Sequence, residues 1–174
     1  MIDYRIKTVD GYPEKIGELV SMLEHTRAVT KEDLRGVSRE DLDFAADEHS
    51  NTIGALLIHI ASIEFVHQVI SFKKRDLTEA EWKSWGTALQ LGKGARRQFQ
   101  NHDLEFYINH LDQVRTQTME GLRKYTDDWL FEERHWENGK AYNPYYLWFH
   151  VLEDEINHRG QIRTVKRMIA NASS

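Results

Sequence analysis

Four long segments of this sequence carry apolar residues at helical spacing, and this pattern constrains the possible fold more than any other feature. Within each segment the apolar side chains recur every three or four residues, so they would share one face of an α-helix. No strand-like alternation of useful length and no internal repeat is present. The segments cover residues 13–27, 52–72, 102–125 and 144–169. We therefore predict an all-α fold, a four-helix bundle with long crossover connections and short helices in the loops.

Helix-capping residues stand between and before these segments. Ser38 and Thr78 each precede a short helical pattern that they could cap, and Ser50 or Asn51 could cap the second long helix. A proline also stands where the first and the last long helix would begin, which is a well-tolerated position because a helix leaves its first N–H groups unpaired. These prolines are Pro13 and Pro144.

Two connections are interpreted as irregular. The stretch GKGARRQF (92–99) is interpreted as a Gly-rich turn whose basic residues are solvated. The pair Asn138-Gly139 could join two short strands, because Asn-Gly is a common hairpin turn. The flanking residues give only weak support for strands, so residues 127–143 are predicted to be a loop.

Composition places the chain among soluble globular proteins. It has 174 residues, which suits one domain over 1–174, with 40% hydrophobic and 29% charged residues. The net charge of −5 and the lack of a basic run disfavour nucleic-acid binding. No cysteine is present, so no thiolate can act as ligand or nucleophile, which fits a reducing compartment. No signal peptide and no apolar run long enough for a bilayer is recognised, so we expect a cytoplasmic protein without membrane contact.

The last long segment places two ionisable groups on its apolar face. Asp154 and His158 are four residues apart, and both lie on a line whose other members are aliphatic. Their neighbours Glu153, Glu155 and Asn157 fall off this line and are interpreted as flanking or solvent positions. The line consists of Leu147, Val151, Asp154, His158, Ile162, Val165 and Ile169. We therefore predict that Asp154 and His158 point into the core.

The second long segment carries an ionisable group in the same kind of position. His59 is the only ionisable member of a line that also contains Leu56, Ile63 and Val66. Glu64 is five residues further on and lies on another side of the helix, where a flanking role or a salt bridge is expected. The two segments together thus bring His59, Asp154 and His158 to aliphatic faces.

Two interpretations of these three residues remain open at this point. A carboxylate inside a core costs several kcal/mol unless it is paired or coordinated, on the usual scale for buried ions. Either Asp154 accepts hydrogen bonds from the histidines in a buried polar network, or the three side chains bind a divalent metal. Residues at i and i+4 can reach one ion, and a facing helix can supply the third ligand. Two imidazoles and one carboxylate leave open positions that suit zinc, nickel, iron or manganese.

Two sequence stretches resemble the signature helices of the DinB-like superfamily, which includes the YfiT-type proteins. They are NTIGALLIHIASIE (51–64) and WFHVLEDEINHRGQI (148–162), and the run His-Arg-Gly-Gln at 158–161 is their most specific part. The resemblance implies a four-helix bundle with a metal held by three histidines, one from the second helix and two from the last. His59 and His158 match two of these positions, whereas Asp154 occupies the third in place of a histidine. The resemblance also implies a homodimer.

Two functions follow as hypotheses. The resemblance implies a metal-dependent enzyme, a thiol-dependent S-transferase that uses a low-molecular-weight thiol, or a hydrolase, with His59, Asp154 and His158 as ligands. No catalytic residue beyond these is assigned. The alternative is a non-catalytic, stress-associated binding or structural homodimer in which the same residues form a buried Asp-His network.

Overall fold

The structure is a computed structural model that describes residues 2–172 of the chain. Within this range about two thirds of the residues are helical and the strands form one two-residue pair, which confirms the all-α prediction. The four long helices are Glu14–Asp33, Ile53–Gln68, Leu104–Leu122 and Pro144–Ala172, and a short π-helical segment, Val69–Lys73, extends the second of them. The elements are α1 Glu14–Asp33, α2 Arg39–Asp43, α3 Ile53–Gln68, α4 Glu79–Gln90, α5 Gly92–Gln98, α6 Leu104–Leu122, α7 Asp127–Leu130, β1 Arg134–His135, β2 Ala141–Tyr142 and α8 Pro144–Ala172.

The long helices pack side by side, with α3 between α6 and α8 and with α1 against α8. Short helices fill the connections, as the sequence predicted. Ser38 caps α2 and Thr78 caps α4, each in a reciprocal capping box with the acidic residue three positions later. The cap of α3 is Thr52, whose hydroxyl accepts from the Ala55 N–H, so the prediction of Ser50 or Asn51 was wrong by one or two residues.

Two connections are more regular than predicted. The stretch interpreted as a Gly-rich turn forms helix α5, and the Arg96 guanidinium in it donates to the backbone carbonyls of Glu48 and Ser50. The segment predicted to be a loop contains the antiparallel pair β1–β2, in which the Trp136 and Tyr142 rings stack with centroids 3.9 Å apart. In both cases tertiary or cross-strand contacts add stability that local propensity alone does not provide.

One apolar helix is longer than the sequence interpretation allowed. Residues Ile53–Lys73 have the length and the hydropathy of a membrane span, which corrects the statement that no apolar run is long enough. In the described part of the chain, 78% of this apolar window is buried inside the protein, as in the core helix of a soluble protein. The apolar run thus reflects a helix that other helices surround.

Four buried charged residues, one from each long helix, meet in the interior. They are Arg27 of α1, Glu64 of α3, Arg115 of α6 and Glu155 of α8, and we call them the charged tetrad. Arg27 donates to Glu64 at 2.8 Å and to Glu155 at 3.0 Å, and Arg115 donates to Glu64 at 2.7 Å and to Glu155 at 3.3 Å. Since each carboxylate receives bonds from both guanidinium groups, the two positive and two negative charges balance without solvent.

The charged tetrad separates two apolar clusters of the core. One cluster contains Leu19 and Trp148, which precede Arg27 and Glu155 in their helices. The other contains Leu57, which precedes Glu64 in α3, and Ile162, which follows Glu155 in α8. The sequence interpretation of Glu155 as a flanking or solvent residue was therefore wrong, because Arg27 and Arg115 compensate its charge inside the protein. The salt bridge expected for Glu64 is confirmed.

Truncating one member of the charged tetrad should destabilise the protein strongly. We expect Arg27→Met to lower the free energy of unfolding by about 3–5 kcal/mol, because it leaves carboxylate charge buried without its partner. The measurement is urea denaturation followed by circular dichroism. The control is Arg39→Met, which breaks an exposed ion pair with Asp103 and should cost about 1 kcal/mol or less. An equal cost for both variants would contradict the structural role of the charged tetrad.

The charged tetrad should also make stability depend on pH. Burial raises the pKa of the Glu64 carboxyl, but Arg115 and Arg27 outweigh this and lower it to about 2 from 4.5. The stabilisation by ionised Glu64 is therefore complete above pH 4.5 and is lost as the pH falls towards 2. At about 1.4 kcal/mol per pKa unit, its full size is on the order of 3 to 4 kcal/mol. Denaturation curves between pH 5 and pH 3 should show a steeper loss for the wild type than for Glu64→Gln; parallel curves would refute this.

Candidate metal centre

Helices α3 and α8 bring the three predicted residues together. His59 lies near the middle of α3, and Asp154 and His158 lie one turn apart on α8. The Asp154 Oδ1 atom is 3.6 Å from His59 Nε2 and 3.3 Å from His158 Nε2, and one ligand atom from each residue lies within 4.8 Å of the others. All three side chains are nearly buried, with about a tenth or less of each side chain exposed. The inward orientation predicted from helical spacing is thus observed.

A backbone hydrogen bond sets the orientation of His59. Its Nδ1 atom lies 2.9 Å from the carbonyl oxygen of Ala88, which belongs to helix α4. Because a carbonyl oxygen can only accept, Nδ1 carries the proton, and in the neutral ring the Nε2 lone pair is directed towards Asp154. Metal-bound histidines commonly donate their other ring N–H to a carbonyl or a carboxylate in this way.

The three residues do not satisfy one another by hydrogen bonds alone. Within residues 2–172, Asp154 Oδ2 and His158 Nδ1 are buried without a hydrogen-bond partner. When the His59 ring is neutral, its Nε2 lone pair faces the Asp154 carboxylate, so an Asp-His network would then place two acceptor groups against each other. Asp154 Oδ2 lacks a partner among the described residues in any case, and a buried carboxylate oxygen without a hydrogen bond costs free energy.

The donor set fits a divalent cation. Two ligand atoms that each lie about 2.0–2.1 Å from a tetrahedral zinc ion are about 3.3 Å apart. The observed separations of 3.3 Å and 3.6 Å from Asp154 Oδ1 to the two Nε2 atoms are close to this spacing. Two imidazole nitrogens and a carboxylate suit zinc, nickel, iron or manganese and leave coordination positions open.

The surroundings keep Asp154 ionised. Burial raises the pKa of its carboxyl, but the adjacent imidazoles of His158 and His59 outweigh this effect and lower the pKa to about 2. Asp154 is therefore a carboxylate at neutral pH, the form in which it can bind a cation.

A second pair of histidines lies beside the three residues. The rings of His67 on α3 and His150 on α8 have centroids 5.3 Å apart, and the rings of His59 and His158 have centroids 4.7 Å apart. These pairings show that α3 and α8 run antiparallel. Burial lowers the pKa of His67, whose Nδ1 atom donates to the Ile63 carbonyl. His67 is therefore a neutral group close to Asp154, which the sequence interpretation did not assign to the site.

The polar residues that follow His158 in α8 bond to other groups or are exposed. Arg159 donates to the Thr26 carbonyl at 3.2 Å, Arg163 pairs with Asp33, and Gln161 is exposed. Neither arginine therefore neutralises Asp154, although both belong to the same helix. This removes the cationic partners that a metal-free network could have used.

A cleft of about 750 Å³ lies along α1 and α8 and reaches Asp154. Its walls are mainly apolar, and the described residues that line it include no lysine and no arginine. His150 and Glu153 provide polar groups close to Asp154. The apolar lining residues are Ile6, Met22, Phe149, Leu152 and Ile156.

The fold and the donor set together define an all-α protein with a candidate metal centre formed by two of its long helices. The family model described as mycothiol-S-transferase matches residues 18–170. The chain belongs to this family. The match includes α3, α6, most of α1 and α8, and the three candidate ligands, which confirms the DinB-like resemblance drawn from the sequence.

Solved structures of low sequence identity share the fold. A protein from Clostridium difficile 630 is 13% identical, with a TM-score of 0.69 over 88% of this chain and 96% of that chain. A protein from Streptococcus pneumoniae is 17% identical, with a TM-score of 0.66 over 87% and 90%. A protein from Escherichia coli UTI89 is 14% identical, with a TM-score of 0.61 over 93% and 98%. None of the curated proteins that were compared matches the chain.

Proposed function

We propose that this protein is a metal-dependent S-transferase that binds a divalent cation through His59, Asp154 and His158 and transfers a small thiol to an electrophile. The observation that carries the proposal is the convergence of two imidazole nitrogens on Oδ1 of the largely buried Asp154 carboxylate, whose Oδ2 has no hydrogen-bond partner within residues 2–172. The family match supports the choice of a small thiol as the substrate. Zinc, nickel, iron and manganese are the candidate cations.

A bound divalent cation would act as a Lewis acid and lower the pKa of a thiol or a water molecule at the open positions. The protein's own residues determine how strongly this happens. Asp154 is ionised, so it reduces the formal charge of the loaded site by one unit relative to three neutral imidazoles. His59 keeps its orientation through the Ala88 carbonyl. The buried surroundings limit the competition by water at the ligand atoms.

The cleft next to Asp154 indicates the kind of electrophile. Because its lining is apolar and contains no lysine or arginine among the described residues, it would favour a neutral, apolar molecule over an anion. The transfer forms a carbon–sulfur bond, expels the leaving group of the electrophile and releases the thiol proton. A hydrolase is the second enzymatic possibility, since the same open positions accept a water molecule.

The proposal also covers the domain organisation, the location and the assembly of the protein. We infer that residues 1–174 form one cytoplasmic domain that assembles as a homodimer. The dimer is the assembly that the family resemblance implies, and the exposed rings of Phe131 and Tyr146, which lie outside the cleft, are apolar surface that a second copy could cover. Light scattering on the purified protein measures the mass of the assembly and decides between monomer and dimer.

Metal binding should require the three ligands. We expect protein without a histidine tag to bind about one divalent cation per chain, and we expect Asp154→Ala to lose it because one of the three ligands disappears. Elemental analysis measures the metal content of each variant, and calorimetric titration measures its metal binding. The control is Glu153→Ala, which removes a neighbouring carboxylate that is exposed and pairs with His150. Absence of a cation in the wild type, with none taken up on titration, would favour the buried Asp-His network.

Thiol transfer should depend on the bound cation. We expect the loaded protein to conjugate mycothiol or another small thiol to an apolar electrophile, such as a chlorodinitrobenzene, and chelation or His59→Ala should abolish the activity. Absorbance of the thioether product is the measurement, with circular dichroism to show that the variant folds. A protein that binds the cation but transfers no thiol in a broad screen would point instead to a hydrolytic or a structural role.

A further inference from the structure

The hydrogen bond that orients His59 depends on a break between helices α4 and α5. In a continuous helix, the carbonyl of Ala88 would accept from the N–H of Gly92, four residues later. Helix α4 instead ends at Gln90, and the N–H of Leu91 reaches Ala88 only at 3.4 Å. The carbonyl of Ala88 thereby remains accessible to His59 Nδ1, which it meets at 2.9 Å.

The break is held in an unfavourable backbone conformation. Leu91 has φ 54° and ψ −154°, a combination that a residue with a side chain rarely adopts. Such a conformation persists only where other contacts hold it. Leu91 packs against the core, and the Gly92 N–H donates to the side-chain oxygen of Asn51 at 3.0 Å.

Asn51 is the residue that takes over the helical hydrogen bond of Gly92. It lies directly before Thr52, the cap of the helix that carries His59. The adjacent Arg96 guanidinium ties α5 to the Ser50 carbonyl at 2.8 Å, so the segment before α3 and the start of α5 contact each other at two points. Asn51 had been considered as a helix cap, but its side chain bonds across to the α4–α5 junction.

We propose that Asn51 is a positioning residue for the metal centre. By accepting the Gly92 N–H, it keeps α4 from continuing past Gln90 and leaves the Ala88 carbonyl to His59. His59 then carries its proton on Nδ1 and directs the Nε2 lone pair towards Asp154. The effect of Asn51 on metal binding rests on the proposed function, whereas the chain of hydrogen bonds is present in the protein without metal.

The first measurement is the tautomer of His59 in metal-free protein, by long-range nitrogen–proton NMR correlation of the imidazole. In the wild type we expect the proton on Nδ1. In Asn51→Ala, Leu91 can return to a helical conformation and the Gly92 N–H competes for the Ala88 carbonyl, so the Nε2-protonated form should appear. In Asn51→Asp the carboxylate still accepts from Gly92, and the tautomer should remain that of the wild type.

The second measurement is the dissociation constant for zinc in the same variants. We expect Asn51→Ala to bind zinc about tenfold more weakly, which is the lower end of the usual loss of affinity when a residue that holds a metal ligand is removed. Asn51→Asp should restore the affinity of the wild type. The control is Asn138→Ala, which removes another loop asparagine whose side-chain oxygen accepts a backbone N–H, that of Lys140. It should change neither tautomer nor affinity. If Asn51→Ala does not fold, Asn51→Ser makes the same test with a side chain too short to span the junction.

The outcomes separate this inference from the proposed function. An unchanged His59 tautomer in Asn51→Ala overturns the positioning role, whether or not zinc binds. A changed tautomer together with a wild type that binds no divalent cation supports the positioning role and overturns the metal-binding function. A changed tautomer with weakened zinc binding, both restored by Asn51→Asp, supports both.

Discussion

The charged tetrad is the interaction on which the rest of the structure depends. Each long helix contributes one member, so the relative rotation of all four helices is fixed where Arg27, Glu64, Arg115 and Glu155 meet. Desolvating four charges is costly, and only a complete set of hydrogen bonds compensates for it. A rotation of one helix would break bonds on two others, whereas an aliphatic layer could repack at low cost. The charged tetrad thus specifies one arrangement of the helices.

That arrangement also sets the geometry of the candidate metal centre. Glu155 directly follows Asp154, and Glu64 lies five residues after His59, so the residues that hold α3 and α8 in place are close to the candidate ligands in both helices. A ligand site requires side chains placed to within a fraction of an ångström. The buried ion pairs give α3 and α8 a common register, and the Ala88 carbonyl then fixes the ring of His59.

The helical spacing of apolar residues in the sequence predicted those features that depend on burying one face of a helix. It located the long helices and the inward direction of His59, Asp154 and His158. It failed for Glu155 because the compensating charges, Arg27 and Arg115, lie about 130 and 40 positions away along the chain. Arg115 shares one face of its helix with Leu111 and Leu122, and this position among apolar residues could have indicated a buried cation. Helix α5 and the β1–β2 pair were missed because non-local contacts stabilise them.

Two adjacent acidic residues of α8 are both largely buried, but they differ in the charged groups that surround their carboxylates. Glu155 accepts from two guanidinium groups, and the chain itself supplies the compensating charge. Asp154, one residue earlier, faces two imidazoles and keeps a buried oxygen without a partner among the described residues. Of these two adjacent carboxylates, only Glu155 receives guanidinium partners. A buried carboxylate that has only two imidazoles beside it and one oxygen without a hydrogen bond is stabilised when a cation joins it, which is the physical reason to regard these three residues as a binding site.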